Sequence, residues 1–115
     1  MSLMVKTRKL EDVIVVDLSG RLTAGEPVML LRNTIRGFVN DGAVRFVLNL
    51  GDVKHIDSSG LGEMVSTFVS LRNRQGDVKL LNLTKISKDL LQMTKLLTVF
   101  DVFDNEAAAI AAIKS

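Results

Sequence analysis

The chain has 115 residues, of which 47% are hydrophobic and 24% are charged, and its formal net charge is +2. This length suits one domain spanning residues 1–115, and no apolar run approaches the roughly 20 residues of a membrane span. The absence of cysteine excludes disulfides, and a single histidine cannot build a His/Cys zinc site. Scattered basic residues and few aromatics disfavour nucleic-acid binding. With no secretory pattern at the N-terminus, we expect a cytoplasmic protein without cofactor or metal.

The first forty residues predict a β-hairpin followed by a helix. Weak alternation over residues 4–9 and a β-branched run over residues 13–18 indicate two paired strands, and Ser19–Gly20 ends the second. Pro27 then suits the first turn of a helix, where its missing N–H costs nothing. The apolar stripe of this helix consists of Val28, Leu31, Ile35, Phe38 and Val39. The other face of this helix carries Arg32, Asn33, Arg36 and Asn40.

A buried strand and an amphipathic helix follow, and a polar stretch joins them. The strand covers residues 44–50, and residues 51–54 lead from it to the polar loop His55–Gly62. The helix runs from Ser58 to Arg74, with apolar residues at helical spacing: Leu61, Met64, Val65, Phe68 and Leu71. Backbone N–H groups at a helix start are unpaired and face solvent, so this loop is the place where we expect functional groups.

The last third of the chain predicts two further strand–helix pairs. A strand over residues 78–83 precedes a helix capped by Thr84, with apolar residues Ile86, Leu90, Met93 and Leu97. A short strand over residues 99–103 precedes a helix capped by Asn105, whose packed side carries Ala107, Ile110, Ala111 and Ile113. Strands joined through helices are parallel. The prediction is therefore an α/β fold, with a mixed, mainly parallel sheet of about five strands and about four helices.

Enzyme motifs fit the polar loop poorly. The nucleophile elbow of α/β-hydrolases needs glycine two residues before and two after its serine, and Ser58 is preceded by Ile56. The run Gly60–Leu61–Gly62 is not a dinucleotide fingerprint, because Val65 stands where the third glycine belongs. We therefore expect no enzyme activity, and a catalytic Ser58 beside His55 is only a third alternative.

Ser58 itself has two interpretations. As an N-cap, its hydroxyl would accept a hydrogen bond from the first helical turn, contributing about 1 kcal/mol, although Asp57 could cap equally well. Periodicity alone favours this structural role. As a regulated serine, Ser58 would profit from its small neighbours Ser59, Gly60 and Gly62, because they let the backbone of another protein approach closely.

The six residues Asp57–Gly62, placed after an apolar strand, resemble the signature of the STAS domain family (sulfate transporter and anti-sigma factor antagonist). The resemblance is nearest to the bacterial anti-anti-sigma factors and extends over nearly the whole chain. Supporting matches are Ser19–Leu22, Asn49–Leu50, Gly76, Asn82–Leu83, Thr94–Phe100 and the terminal Ala-rich helix. The resemblance implies one STAS-like domain.

Partner switching is the function that this resemblance implies. In it, the unmodified protein binds an anti-sigma factor with serine kinase activity, the kinase phosphorylates Ser58 (second choice Ser59), and a metal-dependent serine phosphatase reverses the step. The implied partner-binding residues are Thr23, Asp57, Ser58, Ser59, Gly60, Leu61, Gly62 and Glu63. Glu63 also suits the positive end of the helix.

Two departures and one alternative accompany this expectation. Thr23 stands where relatives often carry an acidic residue, and Arg21 stands where Glu is common, so partner choice could differ. The alternative is a STAS scaffold or regulatory subunit of another assembly, such as a stress-signalling complex or a lipid transporter.

Overall fold

The computed structural model describes residues 3–114, in which five strands form one sheet in the order β1-β2-β3-β4-β5. The strands are β1 (Leu3–Leu10), β2 (Val13–Leu22), β3 (Arg45–Ile56), β4 (Asp77–Leu81) and β5 (Val102–Phe103). Strand β1 is antiparallel to β2, and all other neighbours are parallel. The predicted mixed, mainly parallel sheet is confirmed; the outermost positions of the predicted domain, 1, 2 and 115, lie outside the described residues.

Helices cover both faces of this sheet. They are α1 (Glu26–Asn40), α2 (Ser58–Asn73), α3 (Lys85–Met93) and α4 (Glu106–Lys114), with a short 3-10 helix over Leu96–Thr98. Helices α1, α2 and α3 bury their apolar stripes in the larger core, whose members include Ile14, Val16, Leu31, Ile35, Phe46, Leu48, Met64, Leu71, Leu80 and Leu91. Helix α4 covers the other face, where Ala109 and Ile113 meet Val13, Val15, Val47 and Leu81. None of the helices described in residues 3–114 is long and apolar enough to cross a membrane.

Two central strands run beyond their predicted ends. Strand β2 does not stop at Ser19–Gly20 but continues to Leu22, and β3 continues through residues 51–54 to Ile56. Pairing of β3 with β4 ends at Asn49, whereas its pairing with β2 continues to the end of both strands. The extensions form a two-stranded ribbon beyond the sheet. The predicted polar loop is therefore a strand end and a helix start joined at one residue, Asp57.

The segment after β4 also differs from the prediction. Helix α3 ends at Met93, and Leu97 belongs to the separate 3-10 helix, which follows Lys95 in the left-handed region at φ 64°. Strand β4 ends before Asn82, whose φ is 60°, and β5 is limited to Val102–Phe103. At Lys95 the left-handed backbone follows α3 without glycine or proline, so the sequence carried no ordinary stop signal there. Asn82, by contrast, is a residue type that adopts this conformation readily.

In α4 the predicted packed side is only partly correct. Ile113 is buried and Ile110 is partly buried, but Ala107 and Ala111 are exposed, and Ala109 is the alanine that meets the sheet. Runs of alanine have no clear apolar stripe, because every position has the same small side chain. The contact with β3, β4 and β5 decides which side is buried.

Candidate functional site at the start of α2

Asp57 joins the two segments that meet at the end of the β2–β3 ribbon. It is the N-cap of α2: its Oδ1 accepts a hydrogen bond from the Gly60 N–H at 2.9 Å. Its Oδ2 accepts from the Ala24 N–H, also at 2.9 Å, in the connection between β2 and α1. The N–H groups of Ala24 and Gly60 hold the pKa of Asp57 below its ordinary value of 3.8, so the carboxylate is ionised at neutral pH. The partner Ala24 carries no signal in the sequence, because the contact uses only its backbone.

Ser58 is the first residue of α2, and its side chain is exposed. Since Asp57 supplies the cap, the hydroxyl of Ser58 is not needed for it. Within residues 3–114 this hydroxyl has no hydrogen-bond partner. The capping role, which was one of the two interpretations of Ser58, is filled by Asp57. Ser58 lies at the positive end of the α2 dipole, where negative charge is stabilised.

The remaining residues of the motif divide between two sides of the helix. Ser59 and Gly62 are exposed, as is Ser58, whereas Gly60 and Leu61 are buried. A Cβ added to Gly60 would lie 2.2 Å from the carbonyl oxygen of Leu22, but one added to Gly62 would meet nothing within 4 Å. Gly60 is thus the point where α2 closes onto the end of β2. Because Gly62 has no side chain, it adds no bulk to the exposed surface of the helix start.

Thr23, the predicted partner contact outside the motif, lies at the same corner. It is half-buried and directly precedes Ala24, whose N–H reaches Asp57. The neighbouring residues Arg21 and His55 are exposed and lie opposite each other across the ribbon. The fold therefore brings the β2–α1 connection and the start of α2 together.

Glu63 is buried, as Gly60 and Leu61 are, but it is the charged residue among these three predicted contacts. It is 6% exposed, and its Oε1 accepts from Arg32 Nε at 3.0 Å and from Arg32 Nη2 at 2.8 Å. This hydrogen-bonded carboxylate raises the pKa of Arg32. Arg32 was predicted on the face of α1 that does not carry the apolar stripe, and its side chain turns onto α2. The carboxylate of Glu63 is therefore held inside the α1–α2 contact and is not presented at the open surface beside Ser58.

The corner offers no assembled catalytic or metal-binding group in the described part of the chain. In residues 3–114, His55 forms no hydrogen bond with Ser58 or Ser59, so no base is paired with either hydroxyl. No three side chains of the metal-ligating types come together in the same range. What the geometry offers is an exposed hydroxyl on a rigid helix start.

Comparisons with known proteins agree with this architecture. A family model described as the STAS domain matches residues 4–109. The anti-sigma-B factor antagonist of Bacillus subtilis (strain 168) is 32% identical over 104 residues, which cover 89% of this chain and 92% of that protein. The crystal structure of an anti-sigma factor antagonist from Mycobacterium paratuberculosis has a TM-score of 0.85 at 20% identity, covering 99% of this chain and 96% of the other. The Bacillus cell fate determinant SpoIIAA in the phosphorylated form has a TM-score of 0.76 at 22% identity, covering 96% and 99%. Both structures share the fold.

Proposed function

The chain belongs to the STAS domain family, and from this membership we propose that it is an anti-sigma factor antagonist controlled by phosphorylation of Ser58. The proposed partner of the unmodified form is an anti-sigma factor with serine kinase activity, and a metal-dependent serine phosphatase regenerates that form. The exposed and unbonded hydroxyl of Ser58 is the observation that carries the proposal. The protein acts in a cytoplasmic circuit as a substrate and competitor, with no catalytic step of its own.

Accessibility allows a kinase to reach Ser58, as it does the exposed Ser59, Ser66 and Ser70; the choice of Ser58 rests on its position directly after Asp57 in the motif. A kinase must bring the γ-phosphate of ATP in line with the hydroxyl, which requires an exposed oxygen and room for a second protein. Ser59 and Gly62 add little bulk around it, and Thr23 borders the same surface. Gly60 and Leu61 are buried and contribute indirectly, because they pack α2 against the end of the ribbon and so position Ser58.

Electrostatics explains why a phosphate would change the partner and leave the fold intact. Phosphorylation adds roughly −1.5 to −2 charges, which the positive end of α2 accommodates. Among the described residues the Ser58 hydroxyl forms no hydrogen bond, so modification breaks none there. When a partner protein docks with a surface that fits a neutral hydroxyl, acidic groups at the interface repel the phosphate dianion. The phosphate must also lose its water of hydration. Each 1.4 kcal/mol of that penalty weakens binding about tenfold.

Partner capture with matched variants tests the proposal. The parent protein, Ser58→Ala, Ser58→Asp and Ser59→Asp are immobilised and exposed to lysate of the source cell, and bound kinases are identified by mass spectrometry. We expect the parent and Ser58→Ala to retain an ATP-dependent serine kinase, and Ser58→Asp to bind it at least about tenfold more weakly. Ser59→Asp is the matched control for charge at the neighbouring exposed position and should lose less.

Phosphorylation mapping completes the test. The captured kinase and ATP are incubated with the parent and with Ser58→Ala, and the modified peptide is sequenced. Phosphate on Ser58 of the parent and none on Ser58→Ala supports the proposal. Phosphate on neither Ser58 nor Ser59 contradicts the regulatory step, and capture of a transporter or sensor complex without a kinase favours the scaffold alternative.

A further inference from the structure

A cleft of about 290 Å³ lies between α1 and α2, and its walls are rich in arginine. Arg32 and Arg36 come from α1 and Arg74 from the end of α2, so residues distant in sequence share one concave surface. Glu63 is the one carboxylate among its lining residues. Three guanidinium groups against one carboxylate leave an excess of two positive charges in the cleft.

The two excess charges belong to Arg36 and Arg74. Glu63 is already bound to Arg32 through two hydrogen bonds, so that pair is neutral. Within residues 3–114, neither Arg36 nor Arg74 forms an ion pair, and both side chains are exposed. Most other arginines of the chain do have an acidic partner, as Arg8 has in Asp17. The cleft therefore presents two unsatisfied planar donor groups, which match the geometry of carboxylates.

The cleft is continuous with the surface beside the phosphorylation site. A second depression, of about 380 Å³, is lined by Ser59 and Gly62 and shares Arg32, Glu63 and Ser66 with the cleft. Exposed hydroxyl groups, beginning with that of Ser66, lie along α2 between this depression and the cleft. A protein docked at the start of α2 thus has an open route toward Arg36 and Arg74.

From this continuity and charge we infer that the α1–α2 cleft binds an acidic segment of the partner protein that docks at Ser58, with carboxylates paired to Arg36 and Arg74. The identity of that partner rests on the proposed function, but the carboxylate-binding property of the cleft does not. The contact provides a second anchor, away from Ser58, whose strength is independent of phosphorylation and falls with ionic strength.

Amide NMR titration of the full chain tests the cleft without any partner. The probe is a hexaglutamate peptide at low ionic strength, with hexaglutamine as the uncharged control. We expect saturable shifts of amides along the cleft, at Asn40, Ser66 and Ser70, and none with hexaglutamine. The double variant Arg36→Ser/Arg74→Ser should weaken the binding about tenfold. Lys9→Ser/Lys88→Ser makes the same change in net charge on β1 and α3 and should leave the affinity within about twofold.

Two further titrations, one with inorganic phosphate and one with the Ser58→Asp variant, distinguish the inference from its alternatives. Equal losses in the two double variants would show attraction to net charge alone and overturn the inference, as would shifts outside the cleft or no shifts. Inorganic phosphate at matched ionic strength should not reproduce the shifts; if it does, the cleft is a small-oxyanion site and the acidic-segment inference is wrong. Ser58→Asp should bind hexaglutamate as the parent does, so failure of phosphoregulation and failure of the cleft are separately visible.

Discussion

The first two turns of α2 have an outer side and an inner side that differ in exposure and in packing. The outer side carries Ser58, Ser59 and Gly62, which are exposed, and a Cβ added to Gly62 would meet nothing within 4 Å. The inner side carries Gly60 and Leu61, which close against the end of β2 and the core. One short motif therefore combines a surface that can be modified with a joint that must be rigid. Its residues should not be treated as one set of contacts.

The largest expected effect comes from filling the inner side. Gly60→Ala places a methyl group where the Leu22 carbonyl oxygen is 2.2 Å away and Ile56 Cγ2 is 3.1 Å away. Either α2 or the end of β2 must shift, so we expect a loss of about 1–3 kcal/mol in the free energy of unfolding. Urea denaturation measures it. An unchanged midpoint would show that the close packing of α2 on β2 is not required.

A smaller effect is expected from the carboxylate that joins the two sides. The pKa of Asp57 is lowered by the N–H groups of Ala24 and Gly60, so the unfolded chain binds more protons at acidic pH. Its stabilising contribution is complete above the ordinary value of 3.8 and is lost as the pH falls through the lower, folded-state pKa. Asp57→Asn should melt about 4 °C lower at pH 7 and lose less stability than the parent between pH 5 and pH 2, by calorimetry at a series of pH values.

Asp17 supplies the control for that pH series. Its pKa is also lowered, chiefly by the hydrogen bond from Arg8, and it is unchanged in the Asp57 variant. Some acid destabilisation should therefore remain in Asp57→Asn. A variant with the full acid sensitivity of the parent would contradict the assigned role of Asp57.

The smallest effect on stability is expected from filling the outer side. Gly62→Ala adds the same methyl group to the same helix as Gly60→Ala, but into open space. Because alanine favours helix by up to about 1 kcal/mol over glycine, the free energy of unfolding should stay level or rise. Partner capture should nevertheless fall severalfold, since the added methyl raises the surface beside Ser58. Undiminished capture would place Gly62 outside the interface.

Much of this architecture was predictable from residue patterns, for identifiable reasons. The stripe of α1 has strict helical spacing, and its members Val28, Leu31 and Ile35 are buried as predicted. The β-branched run that begins β2 also lies where it was predicted. Strong periodicity survives in the fold because burial of one apolar face dominates the energy of each element. The alanines of α4 and the left-handed residues after β4 lack such a pattern, and there the packed side of α4 and the ends of β4, α3 and β5 were predicted only in part.

The candidate site was predictable only in part. The motif Asp57–Gly62 and its position before an amphipathic helix were visible in the sequence, and the structure exposes Ser58 as the regulated-serine interpretation requires. The bond from the Ala24 N–H to Asp57 and the pairing of Glu63 with Arg32 were not visible. Both depend on the approach of two segments more than thirty positions apart, about which local spacing carries no information.

By itself, the sequence determined the α/β class, the mainly parallel sheet and the serine at a helix start, because these follow from local periodicity and short motifs. The tertiary structure alone decided that Asp57 caps α2 and leaves Ser58 free, and that Glu63 is turned inward. It also gathered Arg36 and Arg74, scattered in the sequence, around one cleft. Charge and steric contact act through space, so their consequences appear only when the helices are packed.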